Sequence, residues 1–425
     1  MKRVAIIGGG LAGLTCAYTL KQRGIDGVVF EASSRPGGRS IIDHVDGFTI
    51  DAGAQYLLGP EIFTNTFHLL GELGMRDDIL PIAPYAGQVY KHHVCHYRVS
   101  SAAGLLKFKG LNLADKALLA RMAYLVARFG RALDFHHIES GAALDDETVA
   151  AFIKRELSQN ILNTIAGPLI STLFFYGSEE TSKLLYLILA KHMHHTRMYT
   201  VRGGVGRIAS RLAGEVRVET GTPIRRIAED GPEYVIDGRR FSDVVIATRG
   251  DAVLEIGGTA EPLSAEDRTF LEECRYQRAV TVVVATEQPV DKHCYGVSIP
   301  RVEQFSAAAI SFHDFIDPSR VPDGKGLLAV TGGGPEVSAD SLMGDLQALY
   351  PVKPIFTREY EWASGMPKFP PGRFREVAAF LKRERRQGLH FCGDYLMGPF
   401  VEGAVTTGMR VGRGIAECGL KDRSR

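Results

Sequence analysis

Gly8, Gly10 and Gly13 form G-x-G-x-x-G directly after the apolar run "VAII" and at the start of a helical pattern, and Glu31 closes the next strand-like run. That arrangement can hold a dinucleotide. Gly8 permits a tight turn, Gly10 lets backbone approach a pyrophosphate, and Gly13 lets helix and strand pack closely. The helix start at Leu11 and Ala12 offers free N–H groups and partial positive charge to phosphate. Glu31, followed by Ala32, can accept hydrogen bonds from ribose hydroxyls and would repel a 2′-phosphate, so FAD or NAD is expected rather than NADP. The stretch "EASSRPGGRS" separates those two. Gly37 and Gly38 let backbone pass a bulky ligand, while Arg39 and Ser40 bring donors for phosphate oxygens, a second loop that an NAD site does not need.

At the far end of the chain "FCGDYLMGPFVEGAVTTG" reads as strand, loop and helix. Free N–H groups at the helix start, around Glu402, Gly403 and Ala404, can stabilise negative charge on a bound group. Two further glycine runs invite the same reading. "VRGGVGRIASRL" carries Gly203, Gly204 and Gly206 ahead of a helix. "LLAVTGGGPEVSADSL" carries Gly332 to Gly334 after an apolar strand, but Pro335 interrupts it and Val337 stands where the third glycine belongs, so it reads as a strand end. With no NADPH domain, the electrons should pass to oxygen or a quinone, as in an oxidase or dehydrogenase.

These groups need elements to hold them. "KRVAIIGGGLAGLTCAYTLKQRG" and "DGVVFEA" make a βαβ unit, strand patterns return after about residue 200, and the stretch between Leu105 and Ala190 is helical in period. The expected class is α/β: a discontinuous Rossmann-type FAD-binding domain (1–80, 203–260 and 365–425), a mixed-sheet substrate domain (81–104 and 261–364) and a helical insert (105–202). In the insert, Leu118, Met122, Leu125 and Phe129 recur at helical spacing beside Lys107, Lys109, Lys116, Arg121, Arg128 and Arg131, a pattern for a membrane-docking face or a core-facing stripe.

Composition excludes several classes. The 425 residues hold 50 basic and 49 acidic side chains, a net charge of +1 that gives no footprint for nucleic acid. Six cysteines (Cys16, Cys95, Cys274, Cys294, Cys392 and Cys418) form no C-x-x-C pair, which fits a reducing cytosol. The first strand begins by Arg3, leaving no room for a secretory signal, and no run reaches the ~20 apolar residues of a membrane span. A cytoplasmic protein is expected, peripheral on a membrane if the insert docks, and a monomer or homodimer. "YKHHVCHYR" (His92, His93, Cys95, His96) and "KHMHHTR" (His192, His194, His195) lack zinc spacing; the first reads as a hairpin turning at His92-His93, and no metal is expected.

"GGGLAGL", "FEASSRPGGRS" and "GFTIDAGAQYL" resemble the N-terminal signature of the FAD-dependent amine oxidase and protoporphyrinogen oxidase superfamily. The likeness extends to "MYTVRGGVGRIASRLAG", "VRVETGTPIRRI", "DVVIAT" and the C-terminal run. It implies that Asp51, Ala52 and Gly53 form a family turn continuing through Ala54 and Gln55 at the cofactor, and that the Gly203 run returns the chain to the FAD domain. It further implies that Ile224 backbone meets adenine, and that Gly393 and Asp394 bind the ribityl or phosphate region. After Ala247-Thr248 the family often has proline, and here Arg249 stands. "EWASGMPKFPPGRF" resembles the family's W-x-x-x-x-P-x-aromatic segment through Trp362, Pro367 and Phe369, and the covalent Cys-Tyr pair of some members is missing, so FAD should be noncovalent. "LDDETVAAFIKREL" through "GSEETS" resembles the protoporphyrinogen-oxidase-like branch, which implies a large, apolar small-molecule substrate. An amine or amino-acid oxidase, or a noncatalytic relative of the same fold, remains as an alternative. No catalytic acid or base is identifiable.

Overall fold

Strand β1 (Arg3–Ile7) is apolar at consecutive positions because both of its faces are covered: Val4 and Ile6 enter one buried cluster, Ala5 and Ile7 another. The computed structural model describes residues 2–99, 104, 107–193, 197–259, 262–383 and 387–423. β1 lies in a five-stranded, wholly parallel sheet, flanked by β2 (Asp26–Phe30) and by the strand Asp243–Ile246, with Arg217–Glu219 and Leu389–Phe391 at the edges. Helix α1 (Leu11–Lys21) connects β1 to β2. The long C-terminal helix Val401–Arg423 lies against α1 so closely that a Cβ on Gly408 would come within 2.3 Å of the Ala12 carbonyl oxygen. The two ends of the chain thereby share one layer.

A second, seven-stranded sheet is mixed. Its order runs Pro354–Pro367, Tyr276–Thr286, Gly326–Gly333, Ala307–Phe312, Gly296–Ser298, Tyr85–Tyr90 and His93–Arg98, antiparallel except where Gly296–Ser298 meets Tyr85–Tyr90. The "TGGG" run belongs to this sheet as an interior strand, and a Cβ on Gly333 would sit 2.5 Å from the Phe175 carbonyl oxygen. Its glycines serve packing. The hairpin Tyr85–Tyr90 and His93–Arg98 turns at Lys91 and His92, one residue earlier than expected, and both adopt positive φ (53° and 60°) while the Glu303 carboxylate takes their N–H groups at 2.9 and 2.8 Å.

The stretch between the hairpin and the strand Met198–Val201 supplies the helices Leu113–Phe129, Val149–Glu156, Gly167–Phe174 and Lys183–Met193, of which Gly167–Phe174 packs on the mixed sheet. The run expected as one helix over "NILNTIAGPLISTLFF" contains a π turn at Leu162–Ala166, where Thr164 returns its hydroxyl to the Asn160 carbonyl at 2.6 Å. Leu118, Met122, Leu125 and Phe129 face the core, Leu125 fully buried, so the apolar stripe of Leu113–Phe129 points inward. Leu113 and Tyr124 are its exposed large apolar residues. Arg121 is paired with Glu156, and the Arg128 guanidinium lies 5.5 Å from the Phe129 ring centroid. Among the described residues no helix is long and apolar enough to cross a membrane.

The "VRGGVG" run has its donors spent internally. The buried Asp51 carboxylate accepts from Val205 and Gly206 N–H, both at 3.1 Å, and Gly203 N–H goes to Asp317 at 2.6 Å. Arg320, also fully buried, pairs with Asp51 at 3.2 Å and donates to the Thr49 carbonyl. A backbone nest of this kind favours an anion, and here the anions are the protein's own carboxylates rather than phosphate.

Candidate active site

One cavity of about 1590 Å³ runs from the glycine turn of β1 to the helices, more than the ~1,000 Å³ upper range of an ordinary small-molecule pocket. It therefore has room for a cofactor and a substrate together. Of the residues expected at the cofactor, it is lined by Gly8, Gly10, Leu11, Ala12, Glu31, Ala32, Gly37, Gly38, Arg39 and Ser40 from the first βαβ unit and its loop. Gly53, Ala54, Gln55, Ile224, Ala247, Thr248, Trp362, Gly393, Asp394 and Ala404 join them from elsewhere in the chain. Gly13, Glu402 and Gly403 are not on its wall.

The glycines divide by what a side chain would meet. Gly8 has φ 110°, and a Cβ there would press the Ala247 carbonyl oxygen at 2.8 Å. A Cβ on Gly13 would fall 2.0 Å from the Gly8 carbonyl oxygen, so this glycine seats the helix on the strand without touching the cavity. Gly10 is different: its backbone (φ −76°, ψ 178°) suits any residue, and a Cβ would meet nothing within 4 Å. The space in front of it belongs to the cavity. No side chain caps α1, so its leading N–H groups point to that same space, the arrangement that receives phosphate. These observations fit a bound dinucleotide pyrophosphate.

Glu31 shapes the turn as well as facing the cavity. Its carboxylate accepts from Gly9 N–H at 2.7 Å and from Ser33 N–H and hydroxyl at 2.8 and 2.6 Å. Arg39 and Asp394, each expected at the cofactor and each on the cavity wall, also meet one another. The Arg39 guanidinium donates to Asp394 at 3.0 Å and to the Gly365 carbonyl at 2.7 Å, so its charge is shared between a carboxylate and a carbonyl before any phosphate arrives. Burial lowers the Arg39 pKa, but Asp394 and Tyr276 outweigh it and the net shift is upward. The pair ties the second-strand loop to the C-terminal loop across the cavity. Trp362 donates its indole N–H to the Ala52 carbonyl at 2.9 Å, fixing the family turn. Arg249 lines the cavity while bonding Asp251 at 2.9 Å.

Glu402 turns away from the cavity. The last helix starts at Val401, and the Glu402 carboxylate accepts from Asn65 N–H (2.9 Å), Thr66 N–H (2.8 Å) and the Thr66 hydroxyl (2.6 Å) at the start of α2 (Thr64–Glu72). It caps another helix, as a carboxylate at an N-terminus does. Gly403 packs, since a Cβ there would sit 2.5 Å from the Gly398 carbonyl oxygen. Cys392 is fully buried, and burial pushes its thiol up to about 12, the behaviour of a small apolar side chain. Among the described lining residues none is cysteine, which leaves FAD no thiol for a covalent link there.

The rest of the cavity is a chamber whose residues gave no motif. Gln88, Tyr97, Thr172, Tyr295, Ser298 and Ser311 face it from separate strands, a helix and the residue leading into a strand, a placement that only the fold reveals. Gln88 donates to the Thr164 carbonyl of the π turn at 2.9 Å, tying sheet to helix. Of the histidines, His194 and His195 lie outside the described residues. His96 meets Asp291 at 2.7 Å with Cys294 nearby, three ligand types whose atoms lie within 4.8 Å of one another. That carboxylate already accepts from Tyr350 at 2.6 Å and His293 N–H at 2.8 Å, and burial together with Asp291 pushes the Cys294 thiol up to about 12. The cluster reads as a satisfied carboxylate.

The family description "Flavin containing amine oxidoreductase" matches residues 11–416. The chain is 31% identical to coproporphyrinogen III oxidase of Staphylococcus aureus over 183 residues, 42% of this chain and 37% of that protein. It is 43% identical to a zeta-carotene-forming phytoene desaturase of Myxococcus xanthus over 70 residues, 16% of this chain and 14% of that one. The chain thus spans well under half the length of these curated relatives. A crystal structure described as a putative protoporphyrinogen oxidase from Exiguobacterium sp. 255-15 superposes with a TM-score of 0.78 at 16% identity, covering 98% of this chain and 99% of the other. This chain belongs to the flavin-containing amine oxidoreductase family, and FAD is its cofactor.

Proposed function

We propose that the chain removes hydride from a C–H bond of a large, predominantly apolar substrate held in the chamber, and passes the electrons to oxygen or a quinone. When bound, FAD supplies the two-electron acceptor chemistry. The protein's part is to bury the substrate and hold the reacting carbon in place. One observation carries the choice of substrate. The chamber walls contributed by residues 86–191 and 295–311 include no aspartate or glutamate among the described lining residues. A buried ammonium is held best by a carboxylate, and this wall offers none, which argues against a small diamine.

The same wall limits anionic substrates. Its cations are Arg98 and Lys191, and the Lys191 ammonium is already given to the Gly130 and Leu133 carbonyls at 3.0 and 2.6 Å. A skeleton with few charges, cyclic or polyene, suits this chamber better than one with four carboxylates. Relatives named for protoporphyrinogen oxidation and for phytoene desaturation support this reading, while another is named for coproporphyrinogen, a tetracarboxylate, which is why that compound belongs in the test. The test is anaerobic bleaching of the yellow holoprotein by protoporphyrinogen, coproporphyrinogen, phytoene and a panel of amines. Bleaching by protoporphyrinogen or phytoene is expected; bleaching by amines alone would sink the proposal. A colourless protein that takes up no FAD would remove the enzymatic reading altogether.

A further inference from the structure

Gln55 lines the cavity on the turn that follows the strand Phe48–Asp51, and Ser311 lines it from the second sheet. The Ser311 hydroxyl lies 2.6 Å from Gln55 Oε1 and 3.3 Å from His313 Nε2. His313 is fully buried, and its Nδ1 has no hydrogen-bond partner among the described residues. The Gln55 side-chain nitrogen has no protein acceptor there either. We infer that Gln55 is a positioned hydrogen-bond donor at the border between the cofactor-binding loops and the substrate chamber, with Ser311 and His313 as the residues that set which way its amide faces.

The direction follows from counting hydrogens. A serine hydroxyl has one hydrogen, and besides Gln55 and His313 it meets the Tyr56 hydroxyl, which can donate to it; two chains through the three groups send the Ser311 hydrogen to Gln55 or to His313. In one, His313 Nε2–H donates to Ser311, Ser311 donates to Gln55 Oε1, and the Gln55 NH₂ faces the cavity. In the other, Gln55 donates to Ser311, Ser311 donates to Nε2, and His313 carries its hydrogen on Nδ1, where no acceptor exists. Burial and then the Arg320 charge keep His313 neutral, with one ring hydrogen to place. A buried N–H with no acceptor is the costlier arrangement, and the Arg320 charge, felt by the imidazole, disfavours a further positive hydrogen and favours a lone pair at the unpartnered Nδ1. Arg320 itself is held by Asp51 and the Thr49 carbonyl, so the charge that selects the tautomer is fixed by the strand from which Gln55 departs.

The two amide hydrogens then need an acceptor from a bound molecule, carried either by the flavin ring or by the substrate. This rests on the flavin reading, and FAD content of the wild-type protein is measured first so that failure of that reading is seen separately. On holoprotein, the bound-flavin reduction potential and kcat/KM with the bleaching compound, protoporphyrinogen or phytoene, are compared for Gln55→Leu, Ser311→Ala and His313→Leu against Ser311→Thr and His313→Gln. The first three should act alike and the last two restore wild-type behaviour. A lowered potential places the acceptor on the flavin; an unchanged potential with a loss of about tenfold in kcat/KM, through KM, places it on the substrate. If Gln55→Leu changes neither, or acts while Ser311→Ala and His313→Leu do not, the inference falls. Nitrogen-15 spectra of wild-type His313 give a test that needs no variant: the Nε2–H tautomer is expected, and an Nδ1–H tautomer would overturn the assigned direction.

Discussion

Gly10 and Gly13 occupy one motif but meet different surroundings, and replacing each by alanine separates the cofactor cradle from the fold. At Gly10 the backbone is already in a region open to any residue and the added Cβ meets no protein atom within 4 Å. Gly10→Ala should therefore leave the apoprotein as stable as wild type, or more stable by about 0.4–1 kcal/mol through a less flexible unfolded chain. The methyl group would occupy the space that the pyrophosphate requires. Overpacking of that size costs about 1–3 kcal/mol, so FAD should bind roughly 5- to 150-fold more weakly. At Gly13 the Cβ would lie 2.0 Å from the Gly8 carbonyl oxygen and 3.1 Å from the Ala247 Cβ, and backbone has to move. Gly13→Ala should lose about 1–3 kcal/mol of apoprotein stability in addition to weaker FAD binding. Urea denaturation of the apoproteins and fluorescence titration with FAD measure both terms. Wild-type FAD affinity in Gly10→Ala, or equal destabilisation by the two substitutions, would refute this division of roles.

Asp394→Ala leaves the Arg39 guanidinium with only the Gly365 carbonyl, and the lost charged hydrogen bond should cost about 2 kcal/mol and loosen FAD. Unchanged FAD retention on gel filtration would show that this bridge does not shape the cofactor end. His313 has a folded pKa well below 6.5 because burial, and then Arg320, disfavour its cation. Its contribution to stability is complete above about pH 6.5 and falls by about 1.4 kcal/mol per unit below that, until the folded pKa is reached. Urea midpoints between pH 5 and 7 should show this slope in wild type and a shallower one in His313→Gln; parallel curves would count against it. Leu173→Trp places a larger side chain at the chamber wall, away from the glycine turn. FAD content should be unchanged while substrate bleaching slows at least about tenfold, by overpacking of ~1.4 kcal/mol or more; equal loss of both would mean that the chamber and the cofactor site are not separable.

Local rules in the sequence determined the cofactor end. The spacing of Gly8, Gly10 and Gly13, the acid at Glu31 and the loop through Arg39 each carry their reason within a few residues, because a tight turn, a free helix start and a strand-end carboxylate are local structures. The alternation of strand and helix signals likewise made the α/β class legible, and Pro335 marked "TGGGP" as something other than a phosphate loop. Tertiary structure decided which donors were left over. "VRGGVG" has the look of an anion nest, and only the fold shows it filled by Asp51 and Asp317. Glu402 sits in a helix start expected at flavin, and only the placement of α2 shows why its carboxylate turns the other way. Arg39 and Asp394 each point to a ligand when read in sequence, and only the fold shows that they also lie 3.0 Å from one another. The substrate chamber left no trace in sequence at all: its residues come singly from strands and helices far apart, and apolar walls are selected for volume and dryness, which many residue combinations supply equally well.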